Sequence, residues 1–296
     1  MLIVLRWLAR RPLWLLHASG TLAGWLAYAL SPSYRQRFKA NTALAGVPRR
    51  AARQAVGEAG RGLFELPYLW LRPPGQRLSP PVRWEGDTLI ERAHADGRGI
   101  VFLTPHLGSF EVTAQAYAER FAAAHGPITV LYRPARKPWL RPLVDTARER
   151  PGLATAPATL AGVRQMIRSL RRGEAVGLLP DQVPPEGLGV WVPFFGQPAY
   201  TMTLAARLVQ QTGATPLLAW GERLPRGAGF VVRVSALPGK LPFDDPTEAD
   251  SQAACAAAVN RAMESLIRQC PQQYLWGYHR FKSPRALADS ATVRAG

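Results

Sequence analysis

Gly99-Ile100-Val101-Phe102-Leu103-Thr104-Pro105-His106-Leu107-Gly108-Ser109-Phe110-Glu111-Val112 reads as a buried strand, a tight turn and the start of a helix. The short apolar run 100–103, bounded by Gly99 and Pro105, suits an interior strand. Ser109 stands where its hydroxyl can cap the first helical turn. Glu111 lies inside that turn, where the helix dipole favours a carboxylate. His106 sits on the turn itself, at the carboxyl end of the strand, where open α/β sheets place their chemistry.

A neutral imidazole takes a proton from an alcohol, and a nearby carboxylate orients it and steadies the resulting imidazolium. His106 and Glu111 supply both groups. On one continuous helix they would lie on different faces; with His106 on the turn and Glu111 in the helix, the side chains can converge. Free amides at the helix start can also hold an oxyanion. Spacing alone fits a packed turn histidine beside a helix-start acid better, because short motifs recur by chance. Ser109 is not read as a nucleophile, since Leu-Gly-Ser-Phe-Glu lacks the Gly-x-Ser-x-Gly elbow; it stands as a candidate substrate contact.

Outward from this unit, strands and helices alternate. Strands are expected over 82–85, 128–132, 175–179, 215–220 and 230–234. Helices are expected over 87–96, from about 138, and over 159–172, 201–212 and 248–269. That alternation predicts an α/β fold with a mostly parallel sheet flanked by helices. Parallel topology gathers strand ends at one rim, which brings together His106, Arg133 and Asp181. Arg133, followed by Arg136, Lys137 and Arg141, offers guanidinium groups to a phosphate or a phosphopantetheine arm. Arg136 and Lys137 fit a solvated helix start equally well. Asp181, after a proline, is suited to holding a loop through backbone amides. The Pro/Gly-rich loop 183–189 is placed to cover a site, and Trp191, Val192, Phe194 and Phe195 read as core or as a lipid-facing surface.

Residues 12–30 carry no charge apart from His17 and approach the minimum length for crossing a bilayer. Arg6, Arg10 and Arg11 precede them, Arg35, Arg37 and Lys39 follow, and no acid occurs before Glu58. Trp14, Trp25 and Tyr28 are residue types that settle at membrane interfaces. Residues 1–31 are therefore expected to form a membrane anchor or an interfacial helix, with the following basic residues on the cytoplasmic side; a buried core helix is the competing reading. Residues 32–75 read as two helices, the second beginning at Pro48 and stopped by Pro73-Pro74-Gly75; within a domain spanning 32–282 they form a helical entry segment that either docks on the main body or lines an entrance for an acyl chain. Residues 283–296 read as a loose tail.

At 296 residues and 47% hydrophobic, the chain is large enough for one substantial core. Its net charge of +17 seeks polyanions: anionic lipid, an acidic protein or nucleic acid. No nucleic-acid recognition motif accompanies that charge. Cys255 and Cys270 flank one helical stretch without a Cys-x-x-Cys pair, and read as packed thiols rather than a metal site or disulfide.

Several motifs then fall in order: His106-Leu-Gly-Ser-Phe-Glu111, Tyr132-Arg133-Pro134, Leu179-Pro180-Asp181-Gln182, Val192-Pro193-Phe194-Phe195-Gly196 with Thr201 and Thr203, and Gln273-Tyr274-Leu275-Trp276 with His279-Arg280-Phe281-Lys282. Together they resemble the late acyltransferases of bacterial lipid A biosynthesis, within the lysophospholipid acyltransferase superfamily, over nearly the whole chain. The resemblance implies an acyl carrier protein thioester as donor, a hydroxyl of a lipid A precursor as acceptor, and the cytoplasmic face of the bacterial inner membrane. It implies no cofactor and no metal. By similarity His106 is the general base, Glu111 its charge partner, and Arg133 a contact to a phosphate or to the reacting carbonyl. Relatives often carry an asparagine after Tyr-Arg-Pro, where this chain has Arg136-Lys137. Two rival readings are the same chemistry on a lysophospholipid or aminolipid, and a non-catalytic basic protein that binds anionic membrane lipid.

Overall fold

The computed structural model describes residues 2–73, 75–132, 150–243 and 248–286. Arg133, Arg136, Lys137, Arg141 and the helix expected from residue 138 lie outside these residues, as does the tail from residue 287. The strands are β1 Arg83–Glu85, β2 Ile100–Leu103, β3 Ile128–Tyr132, β4 Leu153–Pro157, β5 Ala175–Leu178, β6 Gly189–Phe194, β7 Gln197–Met202, β8 Thr215–Arg223 and β9 Phe230–Ala236. Seven of them form one sheet in the order β1-β9-β8-β2-β5-β3-β4, while β6 and β7 make a separate hairpin. From β8 to β4 every pairing is parallel; β9 runs antiparallel to β8, and β1 parallel to β9. The mostly parallel sheet expected from the sequence is thus present, with β2 at its centre.

Side chains alternate across each strand, and the sheet buries both faces. Ile100, Phe102, Leu217 and Ala219 face α6 (Thr88–Ala95) and α7 (Phe110–Arg120). Val101, Leu103, Val176 and Leu218 face α9 (Leu160–Arg171), α10 (Leu204–Thr212) and α11 (Glu248–Gln269). A short helix, α8 (Ala122–His125), follows α7. Two features depart from the sequence reading. The segment Leu-Ala-Thr-Ala-Pro of β4 has one bulky apolar residue and gives no strand signal, yet it pairs along β3. The helix expected from residue 201 starts at Leu204, because 197–202 is the second arm of the hairpin. Its turn is Phe195-Gly196, both at positive φ (47° and 76°), a primed two-residue loop without the usual Asn-Gly or Asp-Gly signature.

The amino-terminal region forms α1 (Leu2–Ala9), α2 (Leu13–Leu30), α3 (Pro32–Leu44), α4 (Arg49–Phe64) and α5 (Leu66–Trp70). Among the described residues no helix is long and apolar enough to cross a membrane, which corrects the expectation of a spanning anchor. The physical reason is visible in α2. Its 18 residues rise only about 27 Å, and its glycines form a seam against protein rather than lipid. A side chain at Gly60 of α4 would meet the Gly20 carbonyl at 1.9 Å and the Gly24 nitrogen at 2.7 Å, so the two backbones touch. Leu13, Leu16 and His17 are buried on that side of α2, while Trp14, Leu22, Trp25, Leu26 and Leu30 are exposed on the other.

Candidate active site

Strands β2 and β5 pair in register, Leu103 opposite Leu178, so the loops that follow them leave the rim side by side. One loop carries His106 and the other Asp181. The His106 backbone N–H donates to Asp181 Oδ2 at 2.8 Å, and its ring Nδ1 donates to Oδ1 at 2.7 Å. Asp181 is 1% exposed. Burial alone would raise its pKa, but the His106 ring and amide, with Arg280 beyond them, outweigh burial and hold the carboxyl below its ordinary range. The ionised carboxylate fixes the tautomer: Nδ1 carries the proton, and Nε2 keeps its lone pair. Nε2 accepts from the Gln182 side-chain amide at 2.9 Å. The loop-holding part expected of Asp181 is realised through the His106 amide. Its grip on the ring was not anticipated, although the adjacency of strand ends was the available signal.

Glu111 lies in the first turn of α7 and lines the same cavity as His106, so the two side chains share one wall. The carboxylate on Nδ1, however, is Asp181. Ser109 is buried and forms no side-chain cap on α7. Its hydroxyl is buried near Glu65 without a hydrogen-bond partner at bonding distance among the described residues, and the Val112 amide closes the turn on the Ser109 carbonyl at 3.0 Å. The expected cap is therefore absent. Two turn amides are also engaged: Gly108 N–H donates to the Gln273 carbonyl at 3.0 Å and Ser109 N–H to the Gly221 carbonyl at 2.7 Å. Those two do not serve an oxyanion.

The turn is clamped from below by a buried ionic cluster that sequence reading missed. Arg223, at the end of β8, donates to the Gly108 carbonyl at 3.1 Å and to both Glu65 oxygens at 2.7 and 2.9 Å. Its remaining nitrogen reaches Glu58 at 2.8 Å. His17 of α2 meets Glu65 at 3.1 Å. Burial opposes the charge on Glu65, but Arg223, His17 and Ser109 overcome it and bring the carboxyl down to about 2. Gly108 itself (φ 60°) lies so close to β8 that a Cβ would sit 2.0 Å from the Gly221 carbonyl. Only glycine fits there.

The cavity before His106 measures about 1180 Å³, above the usual range of about 300–1,000 Å³ for small-molecule sites. Phe102, Val130, Gly177 and Ala219 form its floor on the α7 side of the sheet, and Trp84 and Leu153 line it as well. At the rim it is bordered by Thr159, Leu160 and residues of the loop from Gln182 to Leu188. Tyr132, the residue before Arg133, also lines it. The Tyr278 and Tyr200 hydroxyls pin the loop by accepting from the amides of Val183 and Gly187, each at 3.0 Å. Both cysteines are buried free thiols, and burial pushes Cys270 up to about 12.

A mostly parallel α/β sheet whose rim holds a histidine–carboxylate pair in the wall of a large, mostly apolar cavity is an arrangement suited to acyl-group chemistry. Residues 1–283 match the family model for bacterial lipid A biosynthesis acyltransferases, and the chain belongs to that family of acyltransferases. It is 27% identical over 225 residues to the lipid A biosynthesis lauroyltransferase of Escherichia coli (strain K12), covering 76% of this chain and 69% of that protein. It is 26% identical over 261 residues to the lipid A biosynthesis myristoyltransferase of the same organism, covering 86% and 76%. A lipid A biosynthesis acyltransferase of Haemophilus influenzae is 29% identical over 229 residues, covering 76% and 68%.

Proposed function

We propose that this acyltransferase moves a fatty acyl chain from an acyl carrier protein thioester to a hydroxyl of a lipid A precursor, with His106 as general base. The observation that supports it most is the His106–Asp181 pair opening onto the apolar cavity. The acceptor hydroxyl takes the place of the Gln182 amide on His106 Nε2, which then receives its proton; the oxygen attacks the thioester carbonyl; the C–S bond breaks, and the departing thiolate takes the proton back from the imidazolium. Asp181 stabilises that imidazolium from the Nδ1 side. Glu111 supplies the second carboxylate, on the cavity wall, as the charge partner of the His-x4-Glu pair. Arg133, Arg136 and Lys137 are proposed contacts for the donor arm or for a phosphate of the acceptor. No cofactor and no metal enters the scheme. The exposed Trp7, Trp14, Leu22, Trp25 and Leu26, with Arg6, Arg10 and Arg11 nearby, support an interfacial seat on the cytoplasmic side of the bacterial inner membrane.

The test is transfer of labelled acyl chain from the loaded carrier protein to purified lipid acceptors, with product mass as the readout. His106→Ala and Asp181→Asn each lower the rate by about 10²–10⁴-fold with circular dichroism unchanged. Glu111→Gln tests the second carboxylate in the same assay. Full activity in the His106 variant refutes the base, and exclusive use of a lysophospholipid refutes the acceptor.

A further inference from the structure

Helix α9 begins at the cavity and carries its charge outward. Leu160, Ala161 and Val163 of its first turn line the cavity, and Met166 and Leu170 bury against the sheet. Arg164, Arg168 and Arg171 are exposed on the opposite side. Their spacing of four and three residues sets them in one row. α9 and its neighbour α10 contain no acidic residue, and exposed Arg207 of α10 adds a further charge. Among the described residues no carboxylate pairs with Arg164, Arg168 or Arg171, whereas Arg172 is paired with Glu174 at 2.7 Å. Like charges at this spacing disfavour the isolated helix, so the row is electrostatically incomplete as it stands.

We propose that the Arg164–Arg168–Arg171 face is the docking surface for the acidic protein that presents the acyl thioester, which places the incoming chain at the first turn of α9. This rests on the carrier-dependent reading given above. Two observations favour a protein over a lipid surface. First, α9 joins β4 to β5, which both run parallel to β3, so the helix descends from the rim along the flank of the domain. The row falls away over about 10 Å. The exposed apolar face of α2 instead belongs to a helix tied to the rim, through His17, Glu65 and Arg223 to the Gly108 turn. A bilayer lying against the rim meets only the top of α9; an acidic helix standing beside it meets the whole row. Second, Leu160 is 78% exposed at the mouth, an apolar contact at the end of the charged row where the acyl chain would pass.

The experiment compares the full chain with a triple variant, Arg164→Ser, Arg168→Ser and Arg171→Ser, and with a control triple, Arg49→Ser, Arg50→Ser and Arg53→Ser, which removes the same charge from exposed positions of α4. KM for the acyl-loaded carrier protein, its salt dependence, and the rate with a small acyl thioester are measured, along with sedimentation on anionic phosphatidylglycerol vesicles. Expected is a rise in the carrier KM on the order of tenfold with a flattened salt dependence, and a matching fall in carrier-dependent relative to small-thioester rate. The control triple shows neither. An equal effect in the control, or loss of vesicle binding with the carrier KM unmoved, overturns the docking assignment. If the unmodified protein takes no acyl group from the carrier but uses the small thioester, the carrier-dependent reading itself fails, and the docking surface with it.

Discussion

Replacing Arg223 by methionine leaves Glu65 and Glu58 facing one another without the guanidinium between them. Glu65 is 1% exposed, and its two oxygens are held by Arg223 and His17, so the variant strands a buried carboxylate. Breaking one partner of such a pair costs about 3–5 kcal/mol. At about 2–4 °C per kcal/mol for a chain of this size, the melting temperature falls by roughly 6–20 °C. The Gly108 carbonyl loses its donor as well, so the His106 turn loosens and the rate falls beyond what stability explains. The pH dependence has a definite sign. The folded pKa of Glu65, about 2, lies below its free value of 4.5. Its contribution is therefore complete above that free value and is lost as pH falls through the folded one. In Arg223→Met that acid-labile share is gone at neutral pH already. The assay is thermal unfolding by circular dichroism at low and high salt, together with the double variant Arg223→Met, Glu65→Leu, which recovers part of the loss. A melting temperature within about 2 °C of the parent, or a loss that salt alone reproduces, refutes the claim that this cluster is buried and supports the turn.

Three further outcomes follow from named contacts. Gly177→Leu fills the cavity floor, where even a Cβ lies 3.2 Å from Val130 Cγ1, and shifts product mass toward shorter acyl chains; unchanged chain preference places the chain elsewhere. His94 is pushed down to about 4 by burial and by stacked His125, so the unfolded chain binds the extra proton first. Stability is therefore full above pH 6.5 and declines toward about 4; His94→Gln flattens that part of the melting-temperature profile. Gly60→Val forces apart α2 and α4 and costs about 1–3 kcal/mol, seen as faster proteolysis within residues 1–31.

Much of the fold was legible because its signals are local. The run Ile100–Leu103, the turn at Pro105 and the helical periodicity over 248–269 each announce themselves within a few residues. β4 and the 189–202 hairpin did not, since Leu-Ala-Thr-Ala-Pro is too weakly apolar and Phe-Gly is not a standard primed-turn pair. The site divides the same way. His106 and Glu111 were readable as candidates because they lie on one short segment. Asp181 was found as a loop-holding residue, but its bond to the ring spans 75 positions and depends on β2 lying beside β5. The contact from Arg223 to Glu65 spans 158 positions and has no sequence periodicity to betray it. Ser109 shows the reverse: a sound local rule for capping gives way to burial that only the tertiary fold imposes.

The glycine seam between α2 and α4 bears on how this protein can be handled at the bench. Trimming the first thirty residues to gain solubility would remove His17 and lay bare the α4 face that carries Gly57 and Gly60, admitting water to Glu65 two contacts away from the turn that holds His106. A shortened version would be a damaged catalyst, because those thirty residues hold the turn in place as well as presenting an apolar face.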